Sequence, residues 1–250
     1  MSTEAEIKIF QIYFQPSQVN QLDCSFTPYD NTSNLQPEWC EYAIFRNEFF
    51  KGTCETGLTG FLSWKFKQKT GLVGGQLFEW IQANPDYDVY FINPFLKHLR
   101  RTRSKNIWEH GEKCHPGIIS LTQGLLDEVG YEIDIKTLAM DPEKTLFCNY
   151  WIGSPVFWKR YIEFCEPLYQ LIQNKLDHQQ KRILLEKADQ SGNCFVPYII
   201  ERLFSTLLHT HKDIRVKAWH TNKTKNLSLH QWIMREIKRP INKFLKPNKK

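Results

Sequence analysis

The chain opens with a nearly unbroken apolar run at residues 7–14 (IKIFQIYF), rich in β-branched and aromatic side chains. That is the pattern of a central strand covered on both faces. A polar stretch at 15–37 follows, in which Pro28, Asp30 and Asn31 signal turns. Tyr42, Phe45, Phe49 and Phe50 then fall on one face at helical spacing, which predicts a helix over 38–50 with Arg46 and Asn47 off the stripe. Residues 60–66 (GFLSWKF) predict a second strand, 72–83 a second helix, and 89–92 a third strand that leaves through Asn93 and Pro94. His115, Pro116 and Gly117 open a further helix, and 145–152 (TLFCNYWI) predict a fourth strand. Ser154 and Pro155 are a strong helix start, a serine cap with proline at the first helical position, for a helix over 156–173. A helix over 197–208 and a short strand over 214–219 complete the pattern. Strands alternating with helices predict an α/β domain, with a mostly parallel sheet and helices on both faces.

At 250 residues and 41% apolar, the chain can bury a full core in one domain, expected over 1–220. The remainder, 221–250, changes character. From Lys212 onward there are twelve Lys or Arg against two acids, a local +10, which leaves 21 bases and 25 acids, or −4, before it. Leu229, Trp232, Ile233 and Ile237 recur there at helical spacing, with Arg235, Lys238 and Arg239 on the other face. A basic amphipathic helix of this kind suits an anionic membrane surface, and equally a packing helix with a solvated charged face. Nucleic acid is not expected as a partner, because no recognised motif accompanies the charge.

No apolar stretch reaches the roughly 18 residues of a membrane span, and the polar, acidic opening lacks the layout of a secretory signal. A cytoplasmic protein is expected, with a peripheral position on the inner membrane open to it through the tail. Seven cysteines with no CxxC pair fit reduced, mostly buried thiols. His98, His110, Cys114 and His115 match no zinc spacing. Gly71, Gly74 and Gly75 precede a helix without forming a dinucleotide or phosphate-loop fingerprint, and no GxSxG elbow exists.

Polar residues collect where the predicted strands end: Tyr13, Asp30 and Asn31 after the first, Lys65 and Lys67 after the second, Asn93 after the third, and Asn149 with Tyr150 within the fourth. Open α/β sheets bind their ligands at that edge. Lysines there suit a departing pyrophosphate, because fixed cations stabilise the charge that develops on the leaving oxygen; they also suit the solvent side of an edge strand. Glu201 and Arg202 interrupt an apolar helix face, where a carboxylate must be paired or used. An internal ion pair with Arg202 or Arg46 is the structural alternative.

In order along the chain, several blocks resemble bacterial glycosyltransferase-like proteins of capsule and lipopolysaccharide loci, which have a GT-A-like fold. The blocks are IKIFQIYF with Asp30 and Asn31, Ile44 to Asn47, GFLSWKFKQKTG, Asp88 to Pro94, Asn149 to Ile152 before the Ser154 helix, and Glu201 to Phe204. The resemblance implies transfer of a sugar from a nucleotide-sugar donor to a surface glycan or its lipid-linked precursor, or else a non-catalytic module of the same fold that binds a sugar nucleotide or a partner transferase. Tyr13, Asp30 and Asn31 would then face the base and ribose, Arg46, Lys65 and Lys67 the phosphates, and Asn93 the donor sugar. His115, Asn149 and Tyr150 would meet the acceptor. Glu201 would be the general base, with Asp88 as second choice although it enters its strand at the amino end. No carboxylate pair stands at the third strand's exit, where only the Asn93 amide is found. Transfer without a metal, manganese or magnesium held by Asp30 or Asp141, and binding without catalysis all stay open.

Overall fold

The computed structural model describes residues 6–188 and 192–221, the side chains of 98–100 excepted, so the basic segment 222–250 lies outside the described residues. Six strands form one sheet: β1 (Ile7–Tyr13), β2 (Thr27–Asp30), β3 (Leu58–Ser63), β4 (Val89–Asn93), β5 (Trp151–Gly153) and β6 (Val216–His220), in the order β2-β1-β3-β5-β4-β6. β1 pairs in parallel with β2 and β3, and β4 with β6, while β5 runs antiparallel to both of its neighbours. The sheet is therefore mixed rather than simply parallel. Helices α1 (Glu41–Phe50), α2 (Phe66–Thr70), α3 (Gly74–Gln82), α4 (Leu96–Thr102), α5 (Ile107–Cys114), α6 (Ile118–Glu128), α7 (Pro155–Gln170), α8 (His178–Leu185) and α9 (Phe195–Thr210), together with short 3-10 and π turns, make up about half of the described chain.

Alternation along the strands decides which helix covers which face. Phe61 of β3, Phe91 of β4 and Trp151 of β5 point to one side, where α1, α7 and α9 bring Phe45, Trp158 and Phe204. Trp151 and Trp158 pack with ring centres 4.3 Å apart, and the Trp158 indole N–H donates to the Thr59 carbonyl at 2.9 Å. The cross-strand pair Phe10 and Phe61 stacks at 4.9 Å. Tyr90 and Trp219 point to the other side, against Trp80 of α3, and Phe66 of α2 packs edge-on to Tyr150 there. Each such ring taken out of water contributes about 1.5–3 kcal/mol. Gly60 lets β5 approach β3: a Cβ there would stand 2.6 Å from Ile152 Cγ1 and 2.9 Å from the Trp151 carbonyl oxygen.

Several local expectations are corrected. The 15–37 stretch contains a strand, β2, which accepts Pro28 because a sheet margin leaves one side of the ladder unpaired. The second strand ends at Ser63, so Lys65 and Lys67 belong to the turn and to α2, and β3 is internal rather than an edge. The helix expected from 38 begins at Glu41, after a 3-10 turn Pro37–Trp39 and a left-handed break at Cys40 (φ 49°). Of the 145–152 run only the end enters the sheet: Cys148 at φ 80° breaks the extended course, and the Leu146 N–H bonds to Ser205 Oγ of α9 instead. Leu96–Thr102 and Ile107–Cys114, for which the sequence pattern predicts no element, fold as α4 and α5. The serine cap before α7 is as expected, with Ser154 Oγ accepting from Phe157 N at 3.3 Å.

Candidate functional site

Five strands run in one direction, so their carboxyl ends share an edge, and the reversed β5 begins there. Register pairs Tyr13 with Asp30, Ile12 with Ser63, and Asn93 with His220 along this edge. Tyr150 immediately precedes β5 and meets Ser63, the two hydroxyl oxygens being 3.0 Å apart.

Above this point lies Glu201 of α9, half-buried. Burial pushes its carboxyl above the ordinary range, against the opposing pull of the Arg202 and Lys69 charges and of a hydrogen bond donated by the Cys148 N–H; Glu41 at the start of α1 adds to the rise. Lys69 Nζ stands 5.5 Å from the Tyr150 ring centre. Asn149 is half-buried, and its Oδ1 has no hydrogen-bond partner among the described residues. An unsatisfied buried carbonyl oxygen costs about 1–3 kcal/mol unless something donates to it. The site thus gathers a carboxyl of raised proton affinity, a cation and a hydroxyl pair, with the buried Asn149 oxygen one residue before Tyr150. Such a group can accept a proton from a hydroxyl and hold an anion beside it.

Arg202 itself points away from the edge. It is 3% exposed, with Nε 3.3 Å from the Ile107 carbonyl and Nη1 2.7 Å from that of Tyr198. Gly111 makes room for it, since a Cβ there would stand 2.6 Å from Arg202 Nε. Arg202 therefore ties α9 to α5 through the Ile107 carbonyl and leaves Glu201 to the edge.

Of the residues singled out in the sequence, Glu201, Asn149 and Tyr150 come together in this cluster. Tyr13 and Asp30 form a neighbouring pair at the margin: the Tyr13 hydroxyl donates to Asp30, whose carboxyl is held below its usual range first by the Thr32 N–H and hydroxyl and then by Tyr13. Asn31 donates to Asn34 Oδ1 at 3.3 Å beside them. Lys65 and Lys67 are exposed on and before α2, with Lys65 Nζ 4.9 Å from the Trp64 ring centre.

The other residues have different surroundings. Asn93 is fully buried, donating to the Thr145 carbonyl at 2.6 Å and accepting from Phe95 N at 2.8 Å. Arg46 makes a two-pronged ion pair with Glu166 of α7, both contacts 2.7 Å, and lies over the Tyr169 ring. His115 is buried and stacks on Tyr198 at 3.8 Å. Asp88 lies at the opposite, amino edge, where it accepts from Arg215 N at 2.7 Å and pairs with the Arg215 guanidinium.

Sequence reasoning missed Ser63, Lys69, Cys148 and Glu41. Lys69 stands one helical turn after Lys65, a spacing visible once α2 is known; nothing in the sequence marks Cys148. Among the described residues no three or more His, Cys, Asp or Glu side chains are gathered to hold a metal ion. Asp30 ends β2 at one margin of the sheet, while Asp141 caps a 3-10 turn (Pro142–Lys144) beside α9 and accepts from Glu143 N.

Comparison with known proteins returns no matching family model, no matching curated protein and no matching solved structure. No helix among the described residues is long and apolar enough to cross a membrane.

Proposed function

We propose that this chain is a sugar-nucleotide-dependent glycosyltransferase with a GT-A-like fold, acting at the cytoplasmic face of a bacterial membrane on a surface glycan or its lipid-linked precursor. The observation that carries the reading is Glu201: a half-buried carboxyl of raised proton affinity at the carboxyl edge of the sheet, near Lys69 and Tyr150. The strand order, with a single reversed strand inserted between β3 and β4, supports a GT-A-like arrangement.

In this reading, ionised Glu201 takes the proton of an acceptor hydroxyl as that oxygen bonds to the anomeric carbon. The bond from that carbon to the diphosphate breaks, and the nucleoside diphosphate leaves with the electron pair. Lys69 stabilises the charge on the departing oxygen, with the exposed Lys65 and Lys67 along the exit. Tyr13, Asp30 and Asn31 at the margin meet the base and ribose. Manganese or magnesium is tested rather than assumed.

The test is a thermal-shift panel of UDP-, GDP-, CMP- and dTDP-sugars, each with and without manganese or magnesium. A ligand at about a hundredfold its dissociation constant stabilises by roughly 2.7 kcal/mol, so one nucleotide class should raise the melting temperature by several degrees. Silence across the panel would overturn donor binding. The second reading, a non-catalytic module that binds a sugar nucleotide or a partner transferase, is favoured by one observation: Arg46 and Asn93 both have their polar atoms engaged within the fold.

A further inference from the structure

Directly after the carboxyl end of β4, the chain presents Lys97, Arg101, Arg103 and Lys105, all exposed. Among the described residues none of the four is in an ion pair, and the acidic side chains of the neighbouring segments have other partners. Glu109 accepts from the Lys105 N–H at 2.7 Å and pairs with Lys113. Glu112 accepts from Gly117 N and Ile119 N. Asp134 accepts from the Thr137 hydroxyl, and Glu143 pairs with His220.

The turn that carries these cations is held in shape. Arg103 adopts φ 50°, in the left-handed region that costs a non-glycine residue about 1–3 kcal/mol and persists only where its surroundings fix it. The surroundings do so: the Thr102 and Ser104 hydroxyl oxygens are 2.9 Å apart, and Lys113 Nζ donates to the Thr102 carbonyl at 3.0 Å. Asn106, 1% exposed, caps α5 by accepting from Glu109 N at 2.8 Å, and its Nδ2 donates to the Ile135 and Leu138 carbonyls. The backbone that carries these cations is therefore braced.

We propose that this rim of Lys97, Arg101, Arg103 and Lys105 is a docking surface for anionic phospholipid headgroups that sets the carboxyl edge of the sheet against a membrane. This does not rest on the transferase reading. The seven residues of α4 alone span about 10 Å, wider than one diphosphate. A membrane is favoured over nucleic acid by where the chain leaves the sheet. Thr221 N donates to the Asn93 carbonyl at 3.1 Å, which puts the last described residue before 222–250 at the same rim. Their sequence interleaves Leu229, Trp232, Ile233 and Ile237 with cations, the composition of an interfacial segment rather than of a phosphate-only contact.

The experiment is flotation of the full chain with vesicles of phosphatidylcholine alone or mixed with phosphatidylglycerol, at two salt concentrations and with polyuridylate RNA as competitor. The intact chain should float only with the anionic vesicles, and less at high salt. The triple variant K97Q/R101Q/R103Q should bind them about a hundredfold more weakly, at roughly fivefold per cation. Its melting temperature and its response to nucleotide-sugars should stay unchanged, which separates failure here from failure of the transferase reading. If the triple variant loses its melting transition, R101Q alone, read for a fivefold loss, makes the same decision. Equal binding by the variant, no binding by the intact chain, flotation with phosphatidylcholine alone, or displacement by RNA would each overturn the proposal.

Discussion

Glu201 carries a proton affinity that burial raises, which has a stability consequence of definite sign. A carboxyl whose folded pKa lies above its unfolded value favours the fold below that window and costs stability as pH rises through the raised value. Glu201→Gln removes the ionisation, so its melting temperature should gain on that of the unchanged protein as pH rises from the ordinary carboxyl range near 4.3 and then level off. A pH-independent difference would mean that Glu201 titrates ordinarily. His209 shows the opposite case. Burial lowers its pKa; Nδ1 lies 2.6 Å from the Ser205 carbonyl, and Nε2 accepts from Asp141 N at 2.8 Å. That bond requires the neutral ring, so its contribution is complete above the ordinary value of about 6.5 and is lost as pH falls through the lowered one. Hydrogen exchange at the Asp141 amide should accelerate over that interval, and the acceleration should vanish in His209→Gln. Unaltered exchange in the unchanged protein would break the link.

Among the elements, the contact between β3 and β5 depends on a missing side chain. Gly60→Ala forces a Cβ into the Ile152 side chain and the Trp151 carbonyl, which should cost about 1–3 kcal/mol in denaturant unfolding. Ser154→Ala removes the α7 cap and should cost about 1 kcal/mol. A neutral Gly60→Ala would show that β5 does not sit so close. The strands at 7–13 and 89–93 were legible because their apolar runs are long and both faces are covered, and α7 because its cap and proline are local signals. β5 was overread and β2 missed for tertiary reasons. Leu146 is held by α9 rather than by a strand, and Pro28 finds tolerance only at a sheet margin. The helices after Pro94 were hidden by their charge, which masks a buried stripe of Ile107, Trp108 and His110.

At the scale of the whole molecule, the sheet gives the edge and the helices supply its chemistry from distant parts of the chain. Glu201, Asn149 and Tyr150 could be nominated from sequence because each interrupts an apolar run. Their convergence with Ser63 and Lys69 could not, because it depends on β5 being reversed and on α9 crossing above it. Arg46, Asn93 and Asp88 carry suitable groups, yet their contacts with Glu166, Thr145 and Arg215 are settled by packing that no spacing reports.

The most direct test is turnover of whichever nucleotide-sugar raises the melting temperature, followed by nucleoside diphosphate release in the unchanged protein and in Glu201→Gln. The variant should keep its melting temperature at neutral pH or exceed that of the unchanged protein, should still shift with the donor, and should release diphosphate at least about a hundredfold more slowly, as loss of a general base entails. In the unchanged protein, kcat/KM should rise with pH through the raised Glu201 value. A folded, donor-binding Glu201→Gln with undiminished turnover would contradict the account.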